Sequence, residues 1–293
     1  MSVEIRDGRF TEVVGSAMTY ERLAEGFLFL EGPLWDALHR RLLFSDIPAD
    51  TIYEWNEVDG VKTLRAPSGK SNGLAFDLDG QLLCCEHATS RLTRIEVDGG
   101  ISVLAHEHRG RELNSPNDVV VRSDGTVYFT DPSYGIEGYY EGFAAEPEQA
   151  AQHVFKLDPI TGTLSIAVAD MQRPNGLAFS PDERMLYVSD TGNKTMRAFD
   201  VADDGQLSNS REFATCTVGG FDGFRLDEHG HIWSSAGDGV HVLHPDGTLI
   251  GKVKVPEGVA NVQWGGYKRN RLYICATSSL YAVLLTVRGA KTL

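Results

Sequence analysis

The sequence lacks long apolar runs and an excess of basic residues, and each absence excludes a class of protein. No window approaches 18 consecutive apolar residues, so no segment is predicted to span a membrane as a helix. The first ten residues, MSVEIRDGRF, contain no apolar core of a signal peptide, and we therefore expect a cytoplasmic protein. Lys and Arg number 27 against 41 Asp and Glu, which gives a formal net charge of −14 and excludes nucleic acid as a partner. An acidic chain suits a cation or a soluble metabolite, and no pattern in it specifies an oligomeric state.

Cysteine is scarce and is not arranged for metal binding or redox chemistry. None of the four cysteines forms a CxxC pair, and Cys84 and Cys85 are adjacent within a strand-like apolar run. We therefore expect reduced thiols in the core, as in a reducing compartment.

An internal repeat organises the chain. Six segments align, and their starts are separated by 41, 45, 58, 47 and 39 residues. Each segment has an apolar strand, a turn rich in Asp, Gly and Asn, and a second strand, which is a strong hairpin signal. This period predicts an all-β, six-bladed β-propeller of four-stranded blades, in which residues 1–293 form a single domain. We expect closure between residues 18–23 and the carboxyl-terminal strand LYAVLLTV, which protects the last edge.

The first residues of the six segments share one property, a side-chain oxygen. The first strand of a propeller blade lines the channel, so these residues are predicted to form a ring at one channel mouth. Oxygen ligands are those that Ca²⁺ and Mg²⁺ prefer, and the ring predicts a central metal site. The alternative interpretation is structural, because Asn and Asp also begin strands by capping the backbone. Glycine follows four of the six residues, which would suit a turn. The ring residues are Glu31, Asn72, Asn117, Asn175, Asp222 and Asn261.

Titratable residues also recur where the second strand returns to the same mouth. Asp46, His87, Asp131 and Asp190 occupy this position in four of the segments. His87 is a candidate substrate contact or proton shuttle. An Asp that ends a strand is also a common turn signal, so a structural role remains the alternative for the others.

The third segment carries a long insertion between its second and third strands. The insertion, residues 132–152, leaves the sheet on the channel-mouth side and is rich in aromatic residues, including Tyr134. Long loops of this kind are often lids or binding loops, and the alternative is an acidic surface excursion.

At these residues the sequence resembles the family of senescence marker protein, gluconolactonase and luciferin-regenerating enzyme. LEGPLW, RPNGLAFSPDERMLYVSD and FDGFRLDEHGHIW carry the resemblance, and the run Leu113–Gly135 looks especially like bacterial gluconolactonases. Animal members carry an Arg two residues before the Asn that matches Asn117, whereas this chain has Ser115 there.

The resemblance implies one divalent cation, which we expect to be Ca²⁺, with Zn²⁺, Mg²⁺ and Mn²⁺ as the alternatives. By the same resemblance Asp222 is the catalytic proton acceptor and donor, and Asp118 is a neighbour that could share the proton work. Because Ser115 replaces the Arg, other groups are expected to hold the substrate. The expected metal ligands are Glu31, Asn117, Asn175 and Asp222, and the expected substrate contacts are Asn117, Asn72, His87 and Tyr134.

The family resemblance implies a metal-dependent lactone hydrolase that opens sugar or related aldonolactone rings. A polarised carbonyl would be attacked by water while Asp222 takes the proton. Two alternatives remain open at this stage. One is a calcium-dependent phosphotriesterase resembling diisopropyl fluorophosphatase, and the other is a non-catalytic calcium-binding propeller.

Overall fold

Six β-sheets surround a central channel in the computed structural model, which describes residues 2–15 and 18–291. The first strand of each sheet is innermost, and neighbouring inner strands contact one another around the whole ring. Each repeat forms one blade, numbered here in chain order, so the predicted six-bladed propeller is confirmed. Alternating apolar residues and tight Asp-Gly turns explain this, because they favour short antiparallel strands over helices.

The strands of each blade run from the channel outward in chain order. Those of blade 1 are Leu30–Asp36, Arg41–Asp46, Thr51–Asn56 and Gly60–Arg65. Those of blade 2 are Ser71–Phe76, Leu82–Glu86, Arg91–Ile95 and Ile101–Ala105. Those of blade 3 are Val119–Val121, Val127–Asp131, His153–Leu157 and Leu164–Val168. Those of blade 4 are Pro174–Phe179, Met185–Asp190, Thr195–Val201 and Leu207–Thr215.

The last two blades also use the beginning of the chain. Blade 5 contains Phe224–Leu226, Ile232–Ala236, Gly239–Leu243 and Leu249–Val253, and Val3–Ile5 adds a fifth strand at its outer edge. This blade departs from the predicted four strands. Blade 6 contains Val259–Gly265, Arg271–Ala276 and Ser279–Leu284, and Thr19–Glu25 pairs antiparallel with the last of these. The expected closure between the two ends of the chain is therefore present.

Helices and further strands are few among the described residues. They are the α-helix Phe10–Val14, the 3₁₀ helix Tyr134–Ile136 and the two-strand hairpin Glu107–His108 with Arg111–Glu112. No helix in residues 2–15 and 18–291 has the length and apolar character needed to cross a membrane.

The core is divided among the blade interfaces. One cluster of buried apolar side chains lies between each pair of neighbouring blades in the described structure. Successive residues of a strand point to opposite faces, so each blade contributes to two clusters. Cys84 packs toward blade 1 and Cys85 toward blade 3, which is why these adjacent thiols cannot pair. All four cysteines are buried and free, as expected.

Candidate active site

The six ring residues predicted from the repeat lie at the inner strands of the six blades. Five of them are buried, and Asp222 is half-buried. Four lie within their inner strands, whereas Asn117 and Asp222 lie two residues before theirs. The repeat therefore locates the ring correctly, although it misplaces two of the strand starts.

The glycines that follow four of these residues allow neighbouring blades to approach closely. A Cβ on Gly32 would lie 1.9 Å from the carbonyl oxygen of Asn72, and one on Gly176 would lie 2.4 Å from that of Asp222. Gly73 donates its N–H to the carbonyl oxygen of Asn117 at 2.7 Å. Each such glycine lets the backbone of one ring residue touch the ring residue of the next blade. Close packing between blades, rather than a turn, is therefore the reason for glycine here.

Replacing Gly32 with alanine is expected to lower the free energy of unfolding by about 3 kcal/mol, because the new Cβ would overlap backbone and φ is +54°. Urea denaturation measures the change. Gly258→Ala is the matched control, since its Cβ would meet only Thr277 Oγ1 at 3.6 Å, and its effect is expected within ~0.5 kcal/mol. Equal stability of the two variants would contradict this account of the ring.

Glu31 is a buried carboxylate with one oxygen fixed by the protein. Its Oε2 accepts the N–H of Gly32 at 2.8 Å and the Nδ2 hydrogen of Asn261 at 2.9 Å. The pKa of Glu31 is raised to about 7, chiefly by burial, with smaller contributions from the negative charges of Asp118 and Glu141. The two hydrogen bonds oppose this rise but do not overcome it. The two hydrogen bonds to Oε2 therefore fix the orientation of the Glu31 carboxylate but do not neutralise its negative charge.

Asp222 lies in the same electrostatic environment. Burial raises the pKa of Asp222 well above its usual value, and the charges of Glu31, Glu141 and Asp118 add to the rise. The amide of Asn175 lies against this carboxylate and partly opposes the shift. The backbone of Asp222 is fixed on both sides, since its N–H donates to Ser235 Oγ and its carbonyl accepts from Ser189 Oγ.

Asp118 is committed to structural partners. Its Oδ1 accepts the N–H of Val119 at 2.9 Å, and its Oδ2 lies 3.5 Å from Nη1 of Arg225. Both of its carboxylate oxygens are thus already in contact with donors of the protein. The geometry therefore favours Asp222 over Asp118 for the proton work. Arg225 was not identified from the sequence, although an Arg in an otherwise apolar inner strand was a usable signal.

The long insertion of blade 3 covers the mouth of the channel. Tyr140 Oη donates to the Leu28 carbonyl at 3.1 Å, and Lys70 Nζ donates to the Tyr140 carbonyl at 3.1 Å. Glu137 forms an ion pair with Arg173. The loop thus contacts blade 2, blade 4 and the residue before blade 1. We call residues 132–152 the lid loop.

Ser115 anchors the lid loop to the ring. Its Oγ donates to the Pro132 carbonyl at 2.6 Å and accepts the N–H of Gly135 at 2.9 Å. A Cβ on Gly135 would lie 2.7 Å from the Cβ atoms of both His87 and Ser115. The serine that stands where the animal members have Arg therefore fixes the lid loop in place.

His87 lies beneath the lid loop as a neutral imidazole. Burial lowers its pKa to about 4, so it stays unprotonated near pH 7 and is poorly suited to carry protons there. Its Nε2 lies 3.4 Å from Asn72 Nδ2. With that amide donating, the imidazole proton is on Nδ1, which is buried and makes no hydrogen bond of standard geometry, although the backbone of Glu141 lies near enough to oppose the fall in pKa. The proton-shuttle interpretation is disfavoured, whereas a donor to a bound molecule remains available.

Tyr134 reaches the ring from the lid loop. Its ring stacks under the guanidinium of Arg173, whose Cζ lies 4.7 Å from the ring centroid. Its hydroxyl is buried and makes no hydrogen bond of standard geometry, although the side chains of Thr191 and Asn175 lie near enough to oppose a rise in its pKa. Burial raises the pKa of Tyr134, and the charge of Asp222 raises it further. The phenol is thus a neutral group beside the carboxylate of the ring.

Glu141 of the lid loop was missed in the sequence. Its Oε2 lies 3.9 Å from Nδ1 of His87, and its charge acts on both Glu31 and Asp222. Burial raises the pKa of Glu141, and Glu137 adds to the rise. The sequence offered only an acidic residue inside a loop rich in aromatic residues. Acidic residues in loops are common on protein surfaces, so this pattern did not indicate a site.

The other acidic residues at the ends of second strands are backbone caps. Asp46 accepts the N–H groups of Leu28 and Phe29, which precede the inner strand of blade 1. Asp131 and Asp190 accept the equivalent pairs of N–H groups in blades 3 and 4. The turn interpretation is therefore correct for these three residues.

A serine within a G-x-S-x-G pattern also lies near the ring but lacks the geometry of a nucleophile. Ser71, in the run 69–73, is fully buried and begins an inner strand, whereas a nucleophile turn joins a strand to a helix. Its N–H donates to Ser68 Oγ at 3.1 Å. The pattern has a structural role here.

The ring fits a hard divalent cation better than a transition metal. Within residues 2–15 and 18–291, no three His, Cys, Asp or Glu side chains cluster as metal ligands. The ring instead contains two carboxylates, Glu31 and Asp222, and the side-chain amides of Asn117 and Asn175, which could supply oxygen ligands. Both carboxylates have pKa values raised by burial and by neighbouring negative charges, which a cation would relieve.

Comparison with known proteins agrees with this architecture. A gluconolactonase of Zymomonas mobilis is 31% identical over 301 residues, which covers 94% of this chain and 83% of the relative. A gluconolactonase structure from Xanthomonas campestris is 36% identical, with a TM-score of 0.91 over 97% of this chain and 94% of that one. The calcium-binding protein regucalcin of Agrobacterium tumefaciens shares the fold, at 20% identity and a TM-score of 0.78, over 94% of this chain and 96% of its own. The model of the SMP-30/gluconolactonase/LRE-like region matches residues 29–278, and the chain therefore belongs to this family.

Proposed function

We propose that the protein is a cation-dependent lactone hydrolase that opens the ring of a sugar lactone. The observation that carries the proposal is the convergence of Glu31 and Asp222, with raised pKa values, beside Asn175 at a lid-covered channel mouth. The similarity to two gluconolactonases supports a lactone rather than a phosphotriester as substrate.

Four ring residues would hold the cation. They are Glu31, Asn117, Asn175 and Asp222, all of which offer oxygen. When bound, a divalent cation polarises the lactone carbonyl and stabilises the negative charge that develops on its oxygen. The oxygen ligands of the ring support Ca²⁺, and regucalcin, which has the same fold, is a calcium-binding protein. Mg²⁺, Mn²⁺ and Zn²⁺ are the alternatives to be tested.

Asp222 is the proton acceptor in this proposal. It takes a proton from the attacking water as the new C–O bond forms at the carbonyl carbon. It then returns that proton to the ring oxygen as the ester C–O bond breaks, and the product is a hydroxy acid. A cation ligand is normally a weak base, but burial and the neighbouring carboxylates raise the pKa of Asp222 and oppose that effect.

The lid loop and its neighbours would orient the lactone. His87 Nδ1 and the Tyr134 hydroxyl are buried and make no hydrogen bond of standard geometry within the protein, and both are suited to bond with hydroxyl groups of a sugar ring. Asn72, whose Nδ2 lies 3.4 Å from His87 Nε2, and Asn117 are the ring residues that we assign to the lactone. The lid loop also excludes bulk water, which strengthens the electrostatic interactions at the ring.

Proton release on lactone hydrolysis tests the proposal directly. The chelated protein is assayed in a pH-stat with D-glucono-δ-lactone before and after adding each of the four cations. We expect turnover only after a cation is restored, and none with a phosphotriester. Phosphotriester turnover without lactone turnover would favour the fluorophosphatase-like alternative. No turnover of either substrate would favour a binding propeller.

A further inference from the structure

Arg225 is a buried cation within the channel wall. It lies in the short inner strand Phe224–Leu226 of blade 5, and its side chain is 8% exposed. Its Nη1 lies 3.5 Å from Oδ2 of Asp118, whose side chain is 2% exposed, and 2.8 Å from the Phe224 carbonyl. A buried ion pair is a weak contribution to stability, so this pair invites a different explanation.

The pair spans the channel between two distant parts of the ring. Asp118 follows Asn117 in blade 3, and Arg225 lies three residues after Asp222 in blade 5. Each partner is therefore covalently close to a proposed cation ligand. A change in charge at either partner acts on the ring across a poorly hydrated interior, where screening by salt is weak.

The number of negative charges at the channel mouth suggests a role for the Arg225–Asp118 ion pair. Glu31, Asp118, Asp222 and the lid-loop residue Glu141 bring up to four negative charges to the mouth. A divalent cation offsets two of them. A guanidinium beside Asp118 offsets a third without occupying the position of the bound ion.

We propose that Arg225 is a built-in counter-cation that neutralises Asp118 and thereby sets the affinity of the ring for its divalent cation. The inference rests on the proposed function only in requiring that the ring holds such an ion. Arg225 does not touch the ion or the substrate and acts through Asp118. It is a positioning residue that tunes binding by charge.

Calorimetric titration of the chelated full-length protein with Ca²⁺ alone tests this inference. Arg225→Met leaves Asp118 unneutralised, so its Kd for Ca²⁺ is expected to fall at least tenfold. Asp118→Asn leaves the guanidinium unbalanced, and its Kd is expected to rise at least tenfold. Arg225→Lys keeps the charge, and the double variant Asp118→Asn/Arg225→Met keeps the sum of charges, so both are expected within about threefold of the parent.

Either single variant is sufficient for the test if the other fails to fold, because the two are expected to shift Kd in opposite directions, and the double variant controls for loss of the ion pair itself. Equal Kd values for Arg225→Met and the parent would overturn the inference. So would a double variant that behaves like either single variant, or a parent that binds no Ca²⁺. Lactone turnover is measured on the same samples, so a parent that binds Ca²⁺ without turnover contradicts only the proposed function.

Discussion

Replacing Asp222 with asparagine is expected to lower kcat/KM for lactone hydrolysis at least a thousandfold. The change removes the proton acceptor, an effect of about 10²–10⁴-fold by itself, and also removes one of two charged cation ligands. The fold should survive, because asparagine replaces a carboxylate whose pKa is raised by burial and repulsion. In the presence of chelator, the melting temperature of the variant is expected to equal or exceed that of the parent. Initial rates in a pH-stat and thermal melts measure the two effects.

Asp46→Asn is the matched control for this variant. Asp46 is another buried Asp on the channel side, but its carboxylate accepts two backbone N–H groups. Its replacement is expected to cost about 1–3 kcal/mol of stability and to leave kcat/KM of the folded protein within threefold. A control that lost activity as severely as Asp222→Asn would show that damage to the mouth, rather than loss of a proton acceptor, explains the result.

Without a cation, Glu31 is expected to destabilise the protein increasingly as the pH rises from about 4.5 to 7. Its pKa is about 7 in the folded chain against an ordinary value of 4.5, so the folded state binds the extra proton in this window. The free energy of unfolding therefore falls with rising pH, by roughly 3 kcal/mol over the window at ~1.4 kcal/mol per pKa unit. A bound cation favours the ionised carboxylate and removes the loss.

The comparison with Glu31→Gln isolates this effect. His87, with its pKa lowered to about 4, contributes in the opposite direction over much of the same window, so the parent curve alone is uninformative. In chelator, the glutamine variant is expected to match the parent near pH 4.5 and to exceed it by roughly 3 kcal/mol at pH 7. Saturating Ca²⁺ should reverse that order. Urea denaturation at each pH measures the difference, and a difference that is independent of pH would refute the role given to Glu31.

The architecture and the ring could be predicted because the repeat expresses them in the sequence. A residue at the same position in six segments lies at the same height in six blades, so counting along the chain locates Glu31, Asn175 and Asp222 without coordinates. The glycines after four ring residues were visible as well. The reason why glycine is required there could not be predicted, because the close contact of Gly32 with Asn72 is made between different blades.

Residues that lie outside the repeat, or whose partners lie in another repeat, could not be predicted in the same way. Glu141 is in a loop that has no counterpart in the other blades, and its position depends on contacts with Ser115 and Lys70. Arg225 breaks an apolar pattern, but its partner Asp118 is 107 residues away in the chain. The acidic residues at strand ends were candidates for a catalytic role but are backbone caps. The sequence could not distinguish the two roles, because a carboxylate that follows a strand can serve either one.

The way in which the lid loop joins its blade has a consequence for how such a protein can diversify. Asp131 and His153, the strand residues at its two ends, face each other as partners in neighbouring strands of blade 3. The intervening chain is therefore a closed excursion that can change in length or composition without altering the pairing of any strand. Under the proposed function, selectivity toward different lactones and the hydrolytic chemistry would thus be carried by separately exchangeable parts. An exchanged loop that keeps the two bonds to Ser115 would retain its attachment.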